Sequence, residues 1–469
     1  MFFLLLHLVG FLTSVLALLE PRTAQGTVAW AISLNTIPYF AIPAYWLFGR
    51  TKFSGYVAKR QAGFTKINPL ASDFTRTLSA QKLLSENQPS ADYLLERLTA
   101  LPATLGNDVQ LLHSGEEIFS SILAGIDAAQ KYILVQFYIV RDDELGRQVQ
   151  QHLLAAAARN VSVSFIYDAI GSYQLPASYT EKLENGGVAV QAFNSTRHLA
   201  RRFQINFRNH RKIVVVDGLY AWAGGSNLGD EYLGHDPRYS PWVDTAVKII
   251  GPAAQLLQVP FLEDWHWASE GEVLALNWHP QAAPSGTSQK VFCLPSGPAD
   301  QLETCSLYFL NAIDNAEARI WIASPYFVPD KQIVSALQLA ALRGVEVRII
   351  VPEKCDQPAV KLASWSFIKE LTQTGVQFYQ HTHGFMHHKL MLIDWHSSSV
   401  GSANFDNRSF DLNFEITVNV LDHGFARQLE AIFEENFANS RLLSQNELAE
   451  RSFLFRLVVR IARLFAPML

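Results

Sequence analysis

Residues 209–227 read NHRKIVVVDGLYAWAGGSN, and residues 386–404 read MHHKLMLIDWHSSSVGSAN. In each, a histidine and a lysine two apart (His210 and Lys212; His387 and Lys389) open an apolar run that ends in an aspartate, Asp217 or Asp394. Seven residues past each aspartate begins a Gly/Ser/Asn element, Gly224 to Asn227 in one copy and Gly401, Ser402 and Asn404 in the other. Residues two apart in an extended strand face the same side, so imidazole and ammonium are predicted to point together into one site. Counting any basic and any acidic residue, chance supplies roughly 0.1 such patterns in a chain of this composition. Two copies stand far above that background.

Around the motifs the chain repeats itself. One copy runs through ILAGIDAAQKYILVQFYIVRDD, AAAARNVSVSFIYDAIGS and GVAVQAF; the other runs through FLNAIDNAEARIWIASPYFVPDK, ALQLAALRGVEVRIIVP and GVQFYQH. Each has a helix ending in Ile-Asp, a β-rich run with a tyrosine, a second helix and a further strand. Strands alternating with helices of this length build βαβ units and a parallel or mixed sheet. The fold class is therefore α/β, with two pseudo-twofold-related halves at about 108–290 and 291–445. Residues 50–107 read as a polar, turn-rich connector, and 446–469 as a basic amphipathic helix in which Arg456, Arg460 and Arg463 form a stripe. That stripe suits either an anionic leaflet or packing on its own domain.

The first 49 residues differ from the rest. Phe2 to Leu19 is apolar except for His7, Thr13 and Ser14, and Thr23 to Gly49 carries no charge. A bilayer core of about 30 Å takes about 20 helical residues, so a transmembrane hairpin with spans at about 2–19 and 27–48 is expected, kinked by Pro38 and Pro43. Trp30, Tyr45 and Trp46 sit where interfacial aromatics tend to. Arg50, Lys52, Lys59 and Arg60 follow the second span, against Arg22 offset by Glu20 in the loop, which predicts a cytoplasmic C-terminal part.

At 469 residues the chain has room for about three structural units. Hydrophobic residues make up 49%, aromatics 12% and charged residues 17%, which rules out disorder and a coiled coil. The net charge of −5 gives no global field for nucleic acid. Three cysteines, Cys293, Cys305 and Cys355, are an odd number with no paired spacing, against a disulfide framework or a cysteine zinc site. Although His381, His383, His387 and His388 lie close together, no cysteine or acid is spaced to complete a metal site. No cofactor is expected: no Walker loop or acidic cluster appears.

These residue types suit phosphodiester chemistry. One histidine can attack phosphorus and form a phosphohistidine, while the other protonates the leaving alkoxide and then deprotonates the incoming alcohol. Lys212 and Lys389 can hold the phosphoryl oxygens, with Asn227, Ser402 and Asn404 nearby as neutral donors. Asp217 and Asp394 complete the candidate catalytic motifs; each ends a strand before a turn and reads as support for the site.

The duplicated motif resembles that of the phospholipase D superfamily and, more narrowly, of the membrane-anchored bacterial cardiolipin synthases. The likeness extends over FRNHRKIVVVDG, GGSNLGDEY, DWHWASE, SPYFVPD and GSANFDNRSFDLNFE. It implies a bilobal α/β fold with one active site between the halves and no cofactor. It also implies transfer of a phosphatidyl group between two phosphatidylglycerol molecules, with anionic phospholipids and the bacterial inner membrane as partners, nucleic acid excluded and oligomeric state open. By position His210 would be the nucleophile and His387 the acid/base. Asp244 in PWVDTAV and Glu415 in LNFE match the acids that orient the imidazoles. The family's WRDTH-like string is WVDTA here, with Val243 and Ala246 in place of Arg and His, and Gly225 stands where the family has serine. A phospholipase D with water or another alcohol as acceptor, a donor such as phosphatidylethanolamine, and a superfamily nuclease are the competing functions.

Overall fold

The computed structural model describes residues 2–20, 23–49, 55–57, 60, 74–85, 91–193 and 206–469. Arg22, Arg50, Lys52 and Lys59, on which the predicted orientation rests, and Arg201 and Arg202 lie outside them.

The N-terminal run forms α1 (Phe2–Leu19), and the second apolar run forms two helices, α2 (Ala24–Thr36) and α3 (Pro38–Phe48). Proline has no N–H to donate and clashes with the preceding turn; the chain breaks at Ile37 (φ −132°, ψ 56°), just before Pro38, while Pro43 stays inside α3. The predicted 27–48 span is thus not one continuous helix. The 18 residues of α1 reach about 27 Å at 1.5 Å per residue. Among the described residues, no helix is long and apolar enough to cross a membrane. The three helices pack through Ala17, Leu34, Ala41 and Tyr45, leaving Leu4, Leu8, Leu12 and Phe40 outward.

The first half runs β1 (Thr104–Leu112), α4 (Gly115–Ala128), β2 (Tyr132–Phe137), α5 (Glu144–Ala158), β3 (Ser162–Asp168), β4 (Ala189–Phe193), β5 (Ile213–Val216), β6 (Tyr220–Gly224), β7 (Ala246–Ile250) and α6 (Gln258–Ala268). The second repeats it as β8 (Gln289–Ser296), α7 (Thr304–Asp314), β9 (Arg319–Ala323), α8 (Lys331–Leu342), β10 (Glu346–Pro352), α9 (Pro358–Thr372), β11 (Gln377–His381), β12 (Leu390–Ile393), β13 (Ser397–Gly401), β14 (Asn413–Leu421) and α10 (His423–Ala438). The chain ends in α11 (Phe453–Arg463). Even the caps repeat: Asp143 and Asp330 each accept an N–H from three residues on and start α5 and α8.

One sheet runs through both halves in the order β11-β10-β9-β12-β13-β14-β8-β1-β7-β6-β5-β2-β3-β4. The order is a palindrome about the antiparallel β8–β1 contact, so a pseudo-twofold axis passes there. The motif runs IVVV and LMLI are β5 and β12, with every residue buried, as β-branched and aliphatic stretches packed on both faces should be. Tight turns follow, in which Asp217 (φ 55°), Gly218 (φ 68°) and Asp394 (φ 52°) take the left-handed conformation that aspartate and glycine tolerate.

Tyr56, from the connector, is buried among Phe193, Trp267 and Phe414 and donates its hydroxyl to Asp264 Oδ1 at 2.7 Å. Nearby, Arg60 pairs with Glu263 and Asp300 at 3.0 and 2.6 Å. The residues on either side of the connector's undescribed stretches are therefore part of the body's core.

Candidate active site

Each motif enters its strand along the opposite half. Arg208–Asn209 pair in parallel with Asn413–Phe414, and Phe385–Met386 pair in parallel with Trp242–Val243. The main-chain ladder then continues one step: His210 N–H donates to Phe414 O at 2.9 Å and His387 N–H to Val243 O at 2.8 Å. The next residue on each borrowed segment is an acid, Glu415 or Asp244. The backbone register thus delivers each histidine to the carboxylate of the other half.

The side chains meet accordingly. His210 Nδ1 lies 2.9 Å from Glu415 Oε2 and 3.1 Å from Ser402 O; His387 Nδ1 lies 2.8 Å from Asp244 Oδ2. In each ring Nδ1 sits against a carboxylate, the strongest acceptor beside it, so Nδ1 carries the proton and Nε2 keeps its lone pair, although the Lys389 ammonium also lies beside His387 Nδ1. Both rings are largely buried, with 12% of the His210 side chain and 9% of the His387 side chain exposed, so one edge of each remains reachable. Burial, offset in part by the carboxylate partner, lowers His210 to about 4; burial and Lys389 lower His387 to about 3. Both rings are therefore neutral at pH 7.

The carboxylates stay ionised. Burial pushes Asp244 up, but Lys389 and His387 outweigh it and leave the group at about 2. Burial likewise pushes Glu415 up, and His210, Lys212 and the Ser402 hydroxyl outweigh it. Glu415 Oε1 also accepts from Ser409 Oγ and Asn413 Nδ2, at 3.0 and 3.1 Å. The two lysines differ. Each donates to the carbonyl of its own histidine, Lys212 to His210 O at 2.6 Å and Lys389 to His387 O at 2.5 Å, but Lys212 Nζ lies over the Tyr138 ring, whereas Lys389 Nζ also lies 2.9 and 3.1 Å from the two ring nitrogens of His387. Burial lowers Lys389 to about 8, which keeps it mostly charged at neutral pH. Lys212 feels Glu415, Lys389 and Asp244, so the two constellations form a single electrostatic site.

Glycine at 225 makes room for the Asp244 carboxylate as it is placed here. A Cβ there would lie 2.2 Å from Asp244 Oδ1, a separation real Cβ atoms essentially never show. In the other half, the longer Glu415 leaves room for Ser402, whose hydroxyl donates to it. Val243 supplies the carbonyl for His387 N–H, and Ala246 is buried on β7 opposite Gly224.

Not every predicted residue faces the histidines. Asp217 lies at the far end of β5, where its oxygens accept from the N–H groups of Gln130, Lys131 and Tyr132 at 2.7–2.9 Å. Asp394 does the same for Glu317, Ala318 and Arg319 at 2.8–3.2 Å. Both tie the strand end to its neighbour rather than joining the imidazoles. Asn227 is engaged with Ile139 N–H and the Tyr232 hydroxyl, whereas Asn404 Oδ1 is buried without a partner among the described residues. His388 is buried between Thr245 Oγ1 and Asn436; His381 is buried and His383 exposed. Among the described residues, no three His, Cys, Asp or Glu side chains are grouped to hold a metal.

Sequence reasoning passed over Tyr138, whose ring meets His210 edge-on at 5.0 Å, and the buried Arg211–Asp264 pair at 2.9 Å behind the motif. Arg211 sits between His210 and Lys212; alternation sends it to the opposite side, where it also donates to the Glu415 and Pro260 carbonyls. That alternation was the available signal.

A family model described as "Cardiolipin synthase, PLD-like domain" matches residues 122–265 and 309–437, one copy in each half. A cardiolipin synthase A of Pseudomonas entomophila (strain L48) is 45% identical over 471 residues, covering 99% of this chain and 97% of its own. One from Pseudomonas aeruginosa (strain LESB58) is 43% identical over 467 residues, covering 99% and 95%. Among solved structures, the phosphatidylserine synthase of Haemophilus influenzae Rd KW20 matches with a TM-score of 0.57 at 15% identity, covering 77% of this chain and 95% of that one, a likeness of fold.

Proposed function

The chain belongs to the cardiolipin synthase family of phospholipase D-like proteins, and from that premise we propose how its site works. It is a phosphatidyltransferase that makes cardiolipin from phospholipid substrates. In the reaction proposed, a phosphatidylglycerol donates its phosphatidyl group, glycerol leaves, and the glycerol hydroxyl of a second phosphatidylglycerol takes the group.

The observation that carries the roles is the crossed pair of Nδ1–carboxylate hydrogen bonds. With Nδ1 occupied, Nε2 of each ring is left to react. His210 suits the nucleophile: its lysine lies over Tyr138 and not against the imidazole nitrogens, and its lowered pKa keeps the lone pair free at neutral pH. His387, with an ammonium against its ring, suits the proton carrier. Entry of a phosphodiester anion offsets the Lys389 charge, so His387 Nε2 takes up a proton from water; as His210 Nε2 bonds to phosphorus and the phosphorus–oxygen bond to glycerol breaks, His387 gives that proton to the leaving oxygen. Neutral again, His387 takes the proton of the incoming hydroxyl as that oxygen attacks phosphorus and the phosphorus–Nε2 bond to His210 breaks. Glu415 and Asp244 hold the rings and stabilise their cationic forms. Lys212 and Lys389 offset charge on the phosphoryl oxygens, with Asn404 available to a substrate group. Asn227, Asp217 and Asp394 act through the framework.

We also propose that residues 2–48 anchor the protein in the bacterial inner membrane, with the catalytic part on the cytoplasmic side. The outward leucines of a three-helix unit whose buried face is internal support this reading.

The test is a product assay with labelled phosphatidylglycerol, with and without phosphatidylethanolamine, read for cardiolipin, phosphatidic acid and glycerol. Cardiolipin and glycerol from phosphatidylglycerol alone are expected, and none from His210→Ala or His387→Ala. Phosphatidic acid as the main product would make water the acceptor; product only with phosphatidylethanolamine would change the donor; full activity of either variant would refute the two-histidine scheme.

A further inference from the structure

The C-terminal helix divides into three sectors at 100° per residue. Phe455, Val459 and Ala462 face the body, where α11 lies against α9. Beside them runs the arginine stripe. Its last member turns inward: Arg463 donates to Glu370 at 2.6 Å and to Ser366 Oγ at 2.8 Å, while Arg456 and Arg460 stay exposed. The remaining arc, about 140° wide by the same periodicity, carries Phe453, Leu454, Leu457, Val458, Ile461 and Leu464, all open to solvent, with Phe453 73% and Leu464 78% exposed. Among the described residues beyond Phe48, eight of the seventeen exposed large hydrophobic side chains fall between Phe453 and Met468. Of the other nine, Leu339 and Leu342 share one face of α8 and the rest are scattered singly, which is ordinary for a protein surface; a contiguous strip is not.

We propose that this strip is a second membrane contact, lying flat in the headgroup region of an anionic bilayer and setting the active site at the membrane surface. The proposal rests on the lipid-active reading above. Charge decides the occupant. From Arg451 to Leu469 there are four arginines and no acidic residue. An apolar arc edged by cations fits acyl chains below and phosphates beside them. A second copy of the same helix would set arginines against arginines with no acid to pair them.

The helix is also tied to the site. Arg408 N–H donates to Leu469 O at 3.1 Å, and Asn407 Nδ2 donates to Ala466 O at 2.9 Å. The next residue, Ser409, donates to Glu415. Seating α11 in the bilayer therefore fixes the height of the wall that holds His210.

The test uses the full chain with Cys355→Ser, Cys293 and Cys305 being buried, and a nitroxide on Leu457→Cys. In vesicles containing phosphatidylglycerol the label should collide more with oxygen than with a polar nickel chelate, and less so in vesicles of phosphatidylcholine alone. Leu457→Gln/Ile461→Gln should lower cardiolipin formation in such vesicles by at least about tenfold, while leaving turnover of monomeric short-chain phosphatidylglycerol unchanged. A label that reads aqueous in both vesicles would overturn the proposal. So would a label buried in detergent in proportion to protein concentration, which assigns the strip to a second copy. Failure of the unaltered protein to make cardiolipin would strike the catalytic reading alone, since label depth is read without turnover.

Discussion

Replacing Gly225 by alanine puts a methyl group where the Asp244 carboxylate now lies. The added Cβ would fall 2.2 Å from Oδ1, against 3.4 Å or more for ordinary contact, so the carboxylate must retreat by about 1.2 Å (3.4 less 2.2). The neighbouring Gly224 is hemmed in by Ala246 and the Thr245 carbonyl, so the strand cannot yield as cheaply as the Asp244 side chain. A shift of that size breaks the 2.8 Å bond to His387 Nδ1. A hydrogen bond to a charged group contributes about 1.5–3 kcal/mol. At 1.36 kcal/mol per tenfold, kcat for cardiolipin formation should fall by about 10- to 150-fold. KM for phosphatidylglycerol should change little, because the lost contact touches the proton carrier and not the lipid. Steady-state kinetics in mixed micelles measure both, and thermal unfolding reports separately on packing. If Gly225→Ala keeps kcat within about twofold, Asp244 does not act through His387 and the crossed arrangement loses its catalytic meaning.

Glu415→Gln keeps the shape but removes the charge that holds His210, and kcat should drop about tenfold or more with the fold intact, checked by single-turnover formation of the phosphoenzyme. Asp217→Asn leaves one of three main-chain donors short of an acceptor, so stability should fall by about 1–3 kcal/mol in urea unfolding while kcat and KM of the folded protein hold. Arg211→Met leaves the Asp264 carboxylate, 0% of which is exposed, with neutral donors but without the cation paired to it, and should cost about 3–5 kcal/mol in the same measurement. Folded His210 and His387 titrate at about 4 and about 3, below the usual 6.5 or so for histidine, so the unfolded chain takes up the extra protons. Stability should be full above about pH 6.5 and decline as pH falls toward 4, seen as a falling urea midpoint.

The motifs were legible because their logic is local: a two-residue period and a seven-residue offset need no tertiary knowledge. The same holds for the βαβ repeat and for the turn role of Asp217 and Asp394. Asp244 and Glu415 could be picked out, but not their partners, since those lie 143 and 205 residues away and depend on which strands pair. The glycine at 225 looked like a departure; only the position of Asp244 gives its reason. Apolar length suggested one helix over 27–48, whereas the chain breaks at Ile37, ahead of Pro38. The arginine stripe of the last helix was visible as a stripe, but that Arg463 turns inward depends on Glu370, on a different helix.

Tyr56 gives the segment that follows the N-terminal helices a structural occupation of its own. Its ring fills space among Phe193, Trp267 and Phe414, and its hydroxyl is one of the donors that satisfy Asp264, the partner of Arg211 beside His210. A fragment begun after Arg60 would carry a tyrosine-sized void in its centre and leave Asp264, behind the motif strand, one donor short. Such a fragment could dissolve well and still be a slack enzyme. Keeping residues 55–60 attached, or supplying them as a peptide, is the way to a water-borne catalytic body that remains taut.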